Sequence, residues 1–277
     1  MAKLTRNGYK LNYVDYGDKH AQPVILIHGW PLSLQSWEYQ IPKIVEAGFR
    51  CIAYDRKGFG KSCATWEKYD YNALAEDLHA LIDELQLNNV ILVGFSMGGG
   101  EVVRYISNYG NKNISKIALI SSIIPLVKKT DDNEHGVPQE DLDGIVHQLE
   151  TNRLEFLEDF HKGFYSYSTL KKTVSKQQLE FDFSVASHAS PIATLKAALS
   201  WMDADFRTEC RMIEVPTLII HGKDDQTVPI ETAGDQAAKL ISNAKYIIYD
   251  DAPHGLNITH KDQLNMDLLE FLLEVKS

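Results

Sequence analysis

The sequence predicts an α/β fold, a mostly parallel, doubly wound sheet with a block of helices inserted late in the chain, on three observations. Short runs of branched apolar residues alternate with amphipathic stretches from Pro23 to Ile120, the rhythm of parallel strands joined by right-handed helical crossovers. That rhythm stops from Ser122 to about Leu195 and resumes at Val215. At one junction an apolar run meets a helix through Gly94-Phe95-Ser96-Met97-Gly98, a turn that places a single serine. With 277 residues, 44% of them apolar, the chain can bury one large core, with an inserted subdomain.

Taken in order, Tyr9 to Tyr16 alternates as a half-exposed strand does, and Gly17-Asp18 ends it, which predicts an antiparallel edge strand. Pro23 to Ile27 is continuously apolar and reads as a strand covered on both faces, with His28-Gly29-Trp30-Pro31 at its carboxyl end, the edge where ligands bind in open α/β sheets. Ser36 to Ala47 reads as a helix and Arg50 to Tyr54 as the next strand. The basic loop Asp55 to Ser62 lacks the spacing of a phosphate-binding loop, so no phosphate site is expected there. Asn72 to Leu87 is an amphipathic packing helix. Val90 to Val93 is too short for a helix and rich in branched residues, hence a strand, and helical spacing follows from Glu101. Ile114 to Ile120 is another strand. The stretch 122–195 shows charged and aromatic helical patterns, acidic residues outnumbering basic ones. Inserted there, it would roof the carboxyl ends of the strands. Val215 to Ile220 and Lys245 to Tyr249 complete the sheet, with helices over about Ile230 to Ile241 and Asp262 to Val275. The expected division is a core of 1–121 and 196–277 with a helical cap of 122–195.

Lys and Arg number 28 against 38 Asp and Glu, a net charge of −10, which argues against a nucleic-acid or anionic-membrane partner. Cys51, Cys63 and Cys210 are scattered and odd in number, so neither a disulfide framework nor a thiolate metal site is expected. The first seven residues carry no apolar signal core, and no stretch approaches the ~20 apolar residues that span a bilayer. A reducing, cytoplasmic location is expected.

Alone, Gly-x-Ser-x-Gly is equally explained as glycine-rich turn chemistry. In the nucleophile-elbow reading, Ser96 takes a strained conformation that lifts its hydroxyl over the sheet edge. A serine hydroxyl is a poor nucleophile at neutral pH and needs an imidazole to take its proton and a carboxylate to orient that imidazole. Of ten histidines, His20 lies in a polar turn, His79 on a helix, and His135, His147, His161 and His188 in the expected cap. His28 and His221 each precede a glycine at a strand end and are read as loop organisers, and His260 belongs to the last helix. His254 lies just past the final strand, beside Gly255, at the edge where Ser96 should emerge. The carboxylate is sought after the strand ending at Ile220, with Asp225 first and Asp224 second, although either could simply cap a turn. The order Ser96, Asp225, His254 is that of α/β-hydrolases. Developing oxyanion charge calls for backbone donors, for which Met97 and Trp30 are the candidates, Pro31 having no N–H. Trp30, Phe95, Phe160, Phe164 and Val228 are expected to line a small apolar pocket. For Phe160 and Phe164, core packing at i and i+4 accounts for the spacing equally well.

These motifs, and the cap stretches Lys129-Thr130-Asp131-Asp132-Asn133 and Gly136-Val137-Pro138-Gln139, resemble over nearly the full length the cofactor-free (non-haem) chloroperoxidase, perhydrolase and aryl esterase group of the α/β-hydrolases. The resemblance implies an α/β-hydrolase fold with a helical cap after its sixth strand, here Ile114 to Ile120, and aligns Asp225 with the family's acid. It implies hydrolysis of small carboxylic esters through an acyl-enzyme, and perhydrolysis, in which hydrogen peroxide replaces water and the released peracid oxidises halide, so that no cofactor, haem or metal is required. It also implies a homo-oligomer. Phe95 departs from the histidine that many relatives carry in the elbow, which puts pocket polarity in question. Lactone or carbon–carbon bond hydrolysis, and a small-molecule receptor built on the same fold, are the alternatives.

Overall fold

The structure, a computed structural model, describes residues 2–6 and 8–274. Its elements are β1 (Ala2–Arg6), β2 (Tyr9–Tyr16), β3 (Pro23–Ile27), a 3-10 turn (Leu34–Trp37), α1 (Gln40–Glu46), β4 (Arg50–Tyr54), α2 (Tyr71–Glu84), β5 (Val90–Phe95), α3 (Met97–Tyr109) and β6 (Ile114–Ile120). Four long helices follow, α4 (Gln139–Thr151), α5 (Arg153–Phe164), α6 (Lys176–His188) and α7 (Pro191–Asp203), then α8 (Arg207–Cys210), β7 (Thr217–Gly222), α9 (Gly234–Leu240), β8 (Ala244–Tyr249), α10 (Leu256–Thr259) and α11 (Lys261–Leu273). The sheet runs β1-β2-β4-β3-β5-β6-β7-β8. Pairing is parallel from β4 through β8, while β2 is antiparallel to both β1 and β4.

The continuous apolar runs are explained by two buried faces. On β3, Ile25 and Ile27 join the core under α2 and α3, whereas Val24 and Leu26 join the core that holds residues of α1 and α11. On β5, Val90 and Leu92 divide from Ile91 and Val93 in the same way, so strand periodicity is preserved although nothing is left polar. Capping residues set several helix starts: Asp70 accepts from the Ala73 N–H at α2, and Ser190 accepts from the Ala193 N–H at α7, where Pro191 takes the first helical position. The Lys116 ammonium donates to the carbonyls of Phe271, Leu272 and Glu274, tying β6 to the negative end of α11.

Several expectations need correction. The strand at Tyr9 to Tyr16 is not an edge, because β1 pairs outside it. Five residues with two cations and one buried leucine gave β1 no apolar pattern to detect. The helix expected over Ser36 to Ala47 divides into a 3-10 turn and α1. Pro42 has no N–H for the carbonyl of Glu38 and fits only in a first turn. The helix after the elbow starts at Met97, taking in three glycines, not at Glu101. Residue 195 falls inside α7. The last helix ends at Leu273, and Val275 lies outside the described residues. Among the described residues no helix is long and apolar enough to cross a membrane.

The loop after β4 turns its charges inward. The Asp55 carboxylate accepts from the backbone N–H groups of Leu34 and Lys61 and from the Asn12 amide, each at 2.8 Å. The Arg56 guanidinium donates to Glu101 at 2.8 Å and to the His28 carbonyl at 2.7 Å, and Tyr54 also bonds Glu101. Lys57 pairs with Asp77 at 2.9 Å. Arg56 and Lys57 are thereby committed to buried carboxylates. His28 accepts the Arg56 N–H at Nε2, so the ring's proton sits on Nδ1, 2.7 Å from the Gly29 carbonyl. That ring thus locks the loop after β3 to the loop after β4. Glu101→Ala would leave the Arg56 guanidinium buried without its counter-charge. The expected loss is about 3–5 kcal/mol in urea unfolding, and a loss below about 1 kcal/mol would contradict this account of the loop.

Candidate active site

Ser96 ends β5 at φ 53°, ψ −120°, a conformation worth roughly 1–3 kcal/mol of strain for a residue with a side chain. Its own backbone bonds hold it there: the N–H donates to the Ile120 carbonyl at 2.9 Å and the carbonyl accepts from the Gly99 N–H at 3.0 Å. The flanking glycines are dictated by contact. A Cβ on Gly98 would lie 2.4 Å from the Ile27 carbonyl oxygen, and one on Gly94 would lie 2.6 Å from that of Gly98. The helix can start directly behind the serine only because those positions are bare.

His254 follows β8, and its ring bridges two groups delivered by other strands. Nε2 lies 2.9 Å from Ser96 Oγ and Nδ1 lies 2.7 Å from Asp225 Oδ2. A carboxylate can only accept, so Nδ1 carries the proton and the neutral ring presents the Nε2 lone pair to the serine hydroxyl. The ring is wedged between Phe95 and Phe164, whose centroids lie 5.4 and 4.9 Å away. Gly255 keeps the chain close: its N–H donates to the Phe164 carbonyl at 3.0 Å, and a Cβ there would press on the Tyr165 ring at 2.3 Å. The end of α5 therefore braces the histidine loop directly.

Of the two candidate acids, Asp224 points outward, 3.6 Å from the Lys171 ammonium, and Asp225 is buried against His254. Its other oxygen, Oδ1, accepts the N–H groups of Thr227 at 3.0 Å and Val228 at 2.7 Å. Burial alone would raise this carboxyl, but the imidazoles of His254 and His221 outweigh it and hold it down at about 2.

A cavity of about 50 Å³ opens at the serine. Trp30, Phe160 and Val228 line it, together with Ser96 and Met97. Phe95 and Phe164 do not: both are fully buried, Phe95 against Trp37 and Phe164, so they support the site from behind. Ile123, Ile145, Trp201 and Thr227 also line it and were missed. Ile123 lies just past β6 and Thr227 two residues past Asp225, so a search of strand ends could have found them. Ile145 and Trp201 sit on α4 and α7, and nothing in their spacing shows which helix face turns inward. Met97 is the first residue of α3, where N–H groups have no intrahelical acceptor. The Gly29 backbone is so close to the elbow that a Cβ there would meet the Phe95 ring at 2.9 Å and the Ser96 Cβ at 3.1 Å. That brings Trp30 to the same end of the cavity, and its indole N–H donates to the Thr194 carbonyl at 2.9 Å, fastening the wall to α7.

The Asp225 carboxyl lies lower in the folded chain than its ordinary value of 3.8. Its stabilising contribution is therefore present above about pH 4 and is lost as pH falls toward 2. Between pH 4 and pH 2 the chain should lose about 2 kcal/mol more stability than Asp225→Asn does, measured by denaturant unfolding. Parallel curves for the two would contradict the assignment.

The chain is similar to known proteins over nearly its whole length. The family model described as the alpha/beta hydrolase fold matches residues 22–261. The non-heme chloroperoxidase of Kitasatospora aureofaciens is 37% identical over 274 residues, covering 97% of this chain and 98% of that protein. The bifunctional esterase/perhydrolase of Acinetobacter calcoaceticus is 36% identical over 269 residues, covering 97% and 98%. Among solved structures, the bromoperoxidase of Bacillus anthracis superposes with a TM-score of 0.94 at 43% identity, covering 99% of each chain. By family match, sequence and architecture together, the chain belongs to the α/β-hydrolase family.

Proposed function

We propose that the protein is a serine hydrolase that cleaves small carboxylic esters through an acyl-enzyme and also carries out perhydrolysis. The observation that carries this reading is the unbroken relay from Asp225 through His254 to Ser96, 2.7 and 2.9 Å long, at the floor of an apolar cavity. Relatives named esterase/perhydrolase and non-heme chloroperoxidase support the choice of reaction.

In the proposed cycle, His254 Nε2 takes the Ser96 proton as Oγ bonds to the ester carbonyl carbon. The carbonyl oxygen becomes an oxyanion, held by the backbone N–H groups of Trp30 and Met97. Asp225 stabilises the imidazolium that results. When the tetrahedral species collapses, the bond to the alcohol oxygen breaks and His254 returns the proton to that oxygen. Water, or hydrogen peroxide, then gives a proton to His254 and attacks the acyl carbon. Release of Ser96 with that proton yields the carboxylic acid or the peracid. Trp30, Phe160, Ile145, Trp201 and Val228 would bound the acyl group, and at about 50 Å³ the enclosed space suits a short one. The helices of 122–203 form the proposed cap.

A serine-reactive organophosphonate is expected to label Ser96 and stop hydrolysis of short aryl esters, and Ser96→Ala to lower kcat by roughly three orders of magnitude or more. Labelling elsewhere with activity retained would sink the reading. Peracid formation from acetate and peroxide tests perhydrolysis separately, and its absence would leave an esterase. Shortening the wall, by Trp201→Ala or Ile145→Ala, is expected to shift preference toward longer acyl chains in a substrate-length series. An unchanged optimum would remove those residues from the acyl pocket.

A further inference from the structure

We propose that His221 is a positioning residue for the acid, its imidazole fixing the Asp225 carboxylate and the turn through Val228 at the angle His254 requires. This rests on the catalytic reading above. His221 is buried at the carboxyl end of β7, where it pairs with Ile248 of β8. Its Nε2 lies 2.9 Å from the Val228 carbonyl oxygen and 3.3 Å from Asp225 Oδ2. Both are acceptors, so the proton resides on Nε2 and is shared between them. Nδ1 is buried with no hydrogen-bond partner. A second proton there would be a buried donor with nothing to accept it.

The consequence is a closed clamp. Val228 donates its N–H to Asp225 Oδ1 at 2.7 Å and accepts from His221 at its carbonyl, so one imidazole holds both the acid and a residue of the cavity wall. Asp225 Oδ2 is shared between His254 at 2.7 Å and His221 at 3.3 Å. A donor on that oxygen draws off carboxylate charge, which makes the carboxylate a weaker partner for the His254 imidazolium. Removing the donor therefore strengthens the carboxylate's attraction for the His254 imidazolium and moves the acid limb of activity upward. The other titratable groups near His221 come from β8 and α9. Tyr246 donates to Asp235 at 2.9 Å, and a Cβ on Gly234 would meet the Tyr246 hydroxyl at 2.7 Å and the His221 Cβ at 2.9 Å. That pair is satisfied internally and stays in place when His221 is replaced.

The test compares His221→Leu, which removes the donor, with His221→Gln, whose amide keeps one, on a short aryl ester. His221→Leu is expected to lower kcat about ten- to a hundredfold with KM changed less than about twofold, and to raise the acid midpoint of the kcat/KM profile by about half a pH unit. His221→Gln should recover most of both. Wild-type kcat and acid limb in His221→Leu, or an equal fall in both variants, would overturn the proposal. So would histidine 15N shifts in the wild-type chain that place the His221 proton on Nδ1, a measurement that needs no variant to fold. Ser96→Ala separates the two levels. Full activity in that variant would remove the catalytic reading itself, whereas an inactive Ser96→Ala beside an unaffected His221→Leu would remove only the role of His221.

Discussion

The junction of β5 and α3 constrains everything around it. For the serine to stand above the sheet, the chain must reverse within one residue, and Ser96 accepts a positive φ that its neighbours are arranged to enforce. Gly98 lets α3 pass within contact of the β3 carbonyls, and Gly99 leaves room for the Ser122 side chain, which a Cβ would overlap at 1.8 Å. Strain at such a point persists only when the surroundings over-determine it. Here the bonds to Ile120 and Gly99 do so, with strands buried on both faces behind them.

The charged residues of the loop after β4 serve the same end from below. Arg56, Glu101 and His28 form a buried network that joins the loops after β3 and β4 to the second turn of α3. Backbone donors can be preorganised only if the loops that carry them do not move. A buried ion pair contributes little net stability compared with apolar packing, and its value here is the fixed relation between the Trp30 loop and the elbow. Above the sheet, contact between the end of α5 and Gly255 gives the helical cap a direct hold on the His254 loop.

The parallel strands were legible because burial on both faces leaves continuous apolar runs, and strand ends are where chemistry must lie. That logic brought Ser96, Asp225 and His254 to one point from three distant segments. It failed where sequence pattern does not encode the answer. β1 is short and charged, and the extent of α3 is hidden by glycines that serve packing and not helix propensity. The inward faces of α4 and α7 are set by how the cap sits, so Ile145 and Trp201 could not be seen, while Phe95 and Phe164, conspicuous as aromatics beside the motifs, proved to stand behind the site. His221 was read as a loop organiser, and its bond to Val228 agrees with that; its second contact, with Asp225, depends on a turn geometry that only coordinates supply.

The central claim is that ester cleavage passes through one acyl intermediate made by groups from three strand ends. The most direct measurement is product partitioning. Esters sharing an acetyl group but differing in alcohol are hydrolysed at a fixed methanol concentration, and methyl acetate is compared with acetate. A common acyl-enzyme predicts the same ratio from every ester, because the alcohol has left before the acceptor is chosen. A ratio that follows the leaving group would contradict it.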